Sequence, residues 1–231
     1  MGIATVSPSR KALSLILKLV VVVSAAFGVY LSATDGIFAF MSGKRVFMYF
    51  TIQSNIAIAL ICAFGAVLLF VKRRVKNWWF VVKFVGTVAI TLTGGVFSFV
   101  LAPTLGDMAW NIRNVLTHVI VPLCAIADFF VTGVFGDLKK SHIPYATVPP
   151  LLYVIYAAVA YVQGWEFAPG KNYPYFFLNW GSEAGAFGFS DKLPFMGCVW
   201  WLIAGALLIC GIGLLYLVII NKLKRRRLIR A

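Results

Sequence analysis

The sequence predicts an all-α polytopic membrane protein, a bundle of six transmembrane helices with both termini cytoplasmic. Three observations carry that expectation. The chain of 231 residues is 61% hydrophobic and 12% charged, with mean hydropathy +0.92, whereas a soluble domain is nearer half apolar and a quarter charged. Six apolar runs approach or exceed the roughly 20 residues that cross a hydrocarbon core. Lysines and arginines segregate onto alternate connections. The net charge of +14 would suggest nucleic acid in a soluble protein. Here the basic residues flank apolar runs, so the expected partner is anionic inner-leaflet lipid and no nucleic acid.

The predicted helices cover 13–34, 48–71, 78–101, 113–132, 146–163 and 195–220, within a single domain 1–231. Arg10-Lys11 before the first run, with Ser24-Ala25-Ala26 inside it, imitates a signal peptide. The run continues through Tyr30-Leu31, too long for a signal h-region, so it reads as a retained first helix. The fifth run is the shortest, because Pro149-Pro150 cut into its start. Arg10, Lys11, Lys72, Arg73, Arg74, Lys76, Lys139, Lys140 and the basic tail 221–231 fall on one side. That side is expected to be cytoplasmic, and the expected location is a bacterial plasma membrane. The outer loop 164–194 is long and aromatic, and reads as a candidate lid with Tyr173, Tyr175 and Phe176 as its anchors.

Two runs carry polar residues where hydrocarbon should begin. The second opens Tyr49-Phe50-Thr51-Ile52-Gln53-Ser54-Asn55, and Thr51, Ser54 and Asn55 share a face by i, i+3, i+4 spacing. The fourth contains Asn111, Asn114 and His118 on one face. Lipid offers such groups no partners, so the two stripes are expected to turn towards each other. His118 lies five residues past Arg113, about 8 Å down its helix, which matches the depth of Thr51. An imidazole can take the proton of a threonine hydroxyl during attack on a carbonyl. Thr51 as nucleophile, His118 as base and the amides of Gln53, Asn55 or Asn114 as oxyanion donors would form an acyl-transfer site. Asn114 is also expected to hold the imidazole tautomer. Pro122 removes the amide that would bond the His118 carbonyl, so the helix should bend there.

Other readings compete. Thr51 would suit a helix cap, and His118 a satisfied core histidine. Thr87, Thr91, Gly95 and Ser98 form a small-residue stripe expected to pack helix on helix. Asp128, ten residues past His118, is about 15 Å away along the helix and cannot orient the ring. A small-solute transporter would show repeated halves and midplane ionisable groups, of which Asp128 is the one noted. A non-catalytic lipid-binding scaffold needs no chemistry from either residue. Cys62, Cys124, Cys198 and Cys210 lie in apolar runs without a C-x-x-C pair, so neither a metal site nor a disulfide framework is expected. A single embedded histidine argues against haem, and no cofactor is expected.

The phrases Tyr49-Phe50-Thr51-Ile52-Gln53-Ser54-Asn55, Asn114-Val115-Leu116-Thr117-His118-Val119-Ile120-Val121-Pro122 and Tyr173-Pro174-Tyr175-Phe176-Phe177 resemble the androgen-induced-gene family of six-helix intramembrane threonine hydrolases, and look most like its bacterial relatives. The resemblance implies a threonine-dependent ester hydrolase acting on a membrane lipid or lipid-like ester, such as a fatty acid ester of a hydroxy fatty acid. By it Thr51 is the nucleophile and His118 the base. The chain departs from the family's pattern at Gln53-Ser54-Asn55, which is more polar.

Overall fold

Among the described residues of the computed structural model, six helices are long and apolar enough to cross a membrane, and the protein is a multi-pass membrane protein. The structure describes residues 6–34, 43–70 and 75–229, with side chains up to 225. The helices are α1 (Pro8–Thr34), α2 (Phe50–Leu68), α3 (Asn77–Trp110), α4 (Ile112–Val131), α5 (Lys140–Val162) and α6 (Cys198–Ile229). No named strand occurs among the described residues. Lys72, Arg73, Arg74 and Arg230, and the side chains of Arg226 and Arg227, lie outside what is described.

Several boundaries differ from the sequence reading, each for a local reason. α5 starts at Lys140 rather than 146, as a 3-10 segment Lys140–Thr147 that carries Pro144. Pro149 and Pro150 then fall in the first turn of Val148–Val162, where a missing N–H costs nothing. α6 starts at Cys198 rather than 195, because Phe195 sits at φ 66, a left-handed geometry no helix propagates. At its other end α6 runs through the basic segment predicted as a tail, to Ile229. Lys, Arg and Leu are good helix formers, and cations suit a helix C-terminus. α2 stops at Leu68, short of the predicted end at 71.

Three apolar clusters hold the bundle. Phe84, Val88, Phe129 and Tyr216 join α3, α4 and α6. Val21, Ile58, Ile90 and Val121 join α1 to α4. Tyr49, Tyr153, Phe167 and Leu178 tie α2 and α5 to the outer loop. Large apolar side chains such as Leu19, Val162 and Leu207 stay exposed on the rim, where lipid rather than water is their solvent. With no water to expel, close packing and interhelical polar contacts must associate the helices.

One such contact lies inside the bundle. The Asp128 carboxylate pairs with the Lys18 ammonium and, at 3.0 Å, with that of Lys83. The Ser14 hydroxyl also donates to it at 2.5 Å. Asp128 thereby fastens α4 to α1 and α3. The sequence reading set Asp128 too far from His118 to orient the ring and named no ionic partner for it. The available signal was a lysine in the middle of two apolar runs, Lys18 and Lys83, since intramembrane charges rarely stand alone. Within the small-residue stripe Thr91 meets the Tyr216 hydroxyl of α6 at 2.7 Å, but the close glycine contact falls one position earlier than Gly95. A Cβ added at Gly95 would meet nothing, whereas one at Gly94 would lie 2.9 Å from the His118 carbonyl oxygen and 3.1 Å from Pro122. Gly94 is therefore where α3 closes on α4.

Candidate active site

Thr51 is the second residue of α2, after an N-cap at Tyr49 that has no side-chain cap bond. Its hydroxyl does not cap the helix. Its amide is one of the orphan donors of a helix start, and it donates to the Tyr175 phenol oxygen at 3.3 Å. The Thr51 hydroxyl lies 3.4 Å from that phenol and 3.4 Å from His118 Nε2. Both are at the loose end of hydrogen-bond range, as is common before substrate binds.

His118 sits in a π-helical turn, Leu116–Ile120, directly ahead of Pro122. Lacking an N–H, Pro122 cannot bond the His118 carbonyl, and the chain absorbs the break by widening the turn rather than by a simple bend. A second π turn, Phe97–Leu101 in α3, puts Phe97 flat against the imidazole, with centroids 3.7 Å apart and planes at 17°. The ring is thus clamped on one face.

Its tautomer follows from its neighbours. Nδ1 is 3.1 Å from the Asn114 backbone carbonyl, which can only accept. It is also 3.0 Å from the Thr117 hydroxyl, whose own proton goes to the Arg113 carbonyl at 2.9 Å. Nδ1 must therefore carry the proton, which leaves the Nε2 lone pair facing Thr51. The Tyr175 oxygen, accepting from the Thr51 amide, can donate its own proton to Thr51 Oγ1. The bonds then run in one direction: Tyr175 O–H to Thr51 Oγ1, Thr51 O–H to His118 Nε2, His118 Nδ1–H to Asn114 O. Burial pushes the Tyr175 phenol above its usual range, so it remains a donor.

The amides predicted as oxyanion donors are otherwise engaged. Gln53 is exposed, and its Nε2 donates to the Phe47 carbonyl at 3.0 Å. It faces away because it is one residue off the Thr51 stripe. Asn55 Nδ2 spends both hydrogens, on the Thr51 carbonyl at 2.8 Å and the Thr117 carbonyl at 3.2 Å. The Asn114 side chain donates to the Ala109 carbonyl at 2.8 Å, so the backbone of Asn114, not its amide, holds the imidazole. Asn111 caps α4 by accepting from the Asn114 amide at 3.1 Å. Ser54 meets the Thr93 hydroxyl at 2.9 Å, locking α2 to α3. Asn55 and Ser54 thus fix α2 against its neighbours and leave no free donor beside the Thr51 hydroxyl.

Of the lid candidates, Tyr175 reaches the site. Phe176 packs edge-on against Trp201, at 5.7 Å between centroids. Tyr173 does not line the cavity beside Thr51, but Phe177 does. That cavity, of about 410 Å³, is walled by α2, α3, α5, α6 and the outer loop, with Thr51, Thr93, Tyr153 and Tyr175 among its few polar groups. Among the described residues no cluster of His, Cys, Asp and Glu is suited to a metal ion, and the four cysteines are free. Sequence reasoning offered Tyr175 only as a lid anchor, without its bonds to Thr51, and did not include Thr117 in the site. A tyrosine in an aromatic loop carries no signal of the helix it covers. No protein-family model, curated protein or solved structure matches the chain.

Proposed function

We propose that this protein is an intramembrane ester hydrolase with Thr51 as nucleophile and His118 as general base, acting on a membrane lipid or lipid-like ester. The observation that carries the reading is the directed set of bonds that leaves the His118 Nε2 lone pair on the Thr51 hydroxyl. A threonine hydroxyl is unreactive at its ordinary pKa and needs such a base.

Thr51 Oγ1 attacks the ester carbonyl carbon as its proton passes to His118 Nε2. Negative charge develops on the carbonyl oxygen, which takes the place of the bonds between Thr51 and Tyr175 and accepts from the Tyr175 O–H and the Thr51 N–H at the positive end of α2. Collapse breaks the bond to the alcohol oxygen, which takes the proton from Nε2 and leaves. Water, deprotonated by His118, then attacks the acyl-threonine and releases the acid and free Thr51. The Asn114 carbonyl steadies Nδ1–H throughout.

The resemblance to the androgen-induced-gene family supports this reading and nominates fatty acid esters of hydroxy fatty acids as substrates. Six crossings would put both ends of the chain on one side. The lysine and arginine distribution makes that side cytoplasmic, with its basic flanks against anionic lipids and the Thr51 end of α2 near the outer face of a bacterial plasma membrane.

The test is labelling of detergent-purified protein with a fluorophosphonate. The native chain should be modified at Thr51, Thr51→Ala should not be labelled, and His118→Ala should hydrolyse esters about 10²–10⁴ times more slowly. Equal labelling of native and Thr51→Ala protein would remove the nucleophile assignment.

A further inference from the structure

The cavity beside Thr51 has a direction, and it distinguishes the two arms of an ester. Thr51 and Tyr175 lie at its outer end, and its walls descend along α6 from Trp201 to Ile209. Those eight steps along the helix correspond to about 12 Å of depth. Among the described residues no charged side chain lines it, and the lining is overwhelmingly apolar. His118 does not line it, although its Nε2 lies 3.4 Å from the Thr51 hydroxyl.

We infer that this cavity binds the acyl chain of the substrate, as a neutral alkyl tail of about ten carbons when extended, while the alcohol arm lies outside it on the His118 side. The inference rests on the hydrolase reading and deepens it. The leaving oxygen must receive its proton from Nε2, so the alcohol arm has to lie on the side of Thr51 that the imidazole occupies. The remaining arm, still attached to Thr51 after the alcohol has left, is directed into the cavity. The tail length follows from the depth, since a zigzag of 1.52 Å bonds at tetrahedral angles advances about 1.25 Å per bond. A charged group at the tail's far end would be buried without a partner and is excluded. Leu151 and Leu208 line the cavity and are also exposed on the rim of the bundle, so a tail can enter sideways between α5 and α6, and a longer one can project there into lipid.

Gly205 offers the direct test. It lies on the cavity face of α6, one turn from Trp201 and from Ile209, and an added Cβ would meet nothing within 4 Å. Gly205→Leu should fill the cavity without moving the backbone, and Gly205→Val is the smaller variant if the leucine impairs folding. Hydrolysis of p-nitrophenyl esters from butyrate to palmitate should rise in kcat/KM up to about the decanoate and then level off. Gly205→Leu should lower the laurate-to-butyrate ratio by about tenfold or more, from the methylenes it displaces. A second readout uses saturable binding of radiolabelled methyl laurate to Thr51→Ala protein, weakened by Gly205→Leu in that background. Such binding without turnover in the native chain would keep the cavity assignment and refute the hydrolase. Turnover with the same chain-length ratio in native, Gly205→Leu and Gly205→Val proteins would refute the cavity assignment alone. Neither binding nor turnover would overturn both.

Discussion

Tyr175→Phe isolates the phenol from everything else the ring does. The ring stacks on Phe177, with centroids 5.1 Å apart at 10°, and meets Tyr49 edge-on at 5.9 Å. Phenylalanine retains that packing and the cavity wall, and removes only the oxygen that sits 3.3 Å from the Thr51 amide and 3.4 Å from its hydroxyl. In the resting protein the loss is small. The Thr51 amide loses one partly buried bond, a net cost of about 1 kcal/mol. On the proposed mechanism the loss in the transition state is larger, because the phenol would be one of two donors on the developing oxyanion. Removing one oxyanion donor typically lowers kcat by about 10²–10³, or roughly 3–4 kcal/mol. The expected result is therefore a fall in kcat of that size with KM changed less than about threefold, and near-native thermal stability. Stopped assays of p-nitrophenyl decanoate hydrolysis in detergent, beside a melting curve, measure both. Native kcat in Tyr175→Phe, or a rise in KM at constant kcat, would refute the oxyanion role and leave Tyr175 as packing.

Three further outcomes follow from the same geometry. Asn114→Ala should retain activity within about fivefold, because the imidazole is held by the backbone carbonyl of residue 114 and the side chain bonds only Ala109; a loss like that of His118→Ala in a hydrolysis assay would show the amide itself to be needed. Gly94→Ala brings a methyl to 2.9 Å from the His118 carbonyl, and should cost about 1–3 kcal/mol of stability through overpacking while lowering kcat more than a stability-matched mutation elsewhere in α3. Asp128→Ala leaves the buried Lys18 and Lys83 ammonium groups facing each other and should destabilise the bundle by about 3–5 kcal/mol in denaturant titration. Replacing all three charges with apolar residues should recover most of that loss, and failure to recover it would show that the triad does more than join helices.

Much of this architecture is written in local composition. Six apolar runs, their lengths and the polar interruptions at Thr51 and His118 are visible because lipid imposes one rule on every spanning residue: polar groups must find partners inside the protein. That rule, with 1.5 Å of rise per residue, is enough to place a hydroxyl and an imidazole at similar depths, and the structure holds them 3.4 Å apart. Sequence periodicity could not decide which donors surround them. Gln53 and Asn55 read as oxyanion donors, yet each is committed to a backbone carbonyl elsewhere. Asn114 acts through its carbonyl, a group every residue possesses and no sequence pattern marks.

Tertiary structure alone brought Tyr175, a lid anchor in the sequence, to hydrogen-bond distance of Thr51, 124 positions away in the chain, and with it came the cavity and its direction. Side-chain identity sets what a residue can donate or accept. Which of its neighbours takes that bond depends on helix rotation, on the π turns at Phe97–Leu101 and Leu116–Ile120, and on the close approach at Gly94. These are properties of packing between helices distant in sequence, and spacing along any one of them does not encode them.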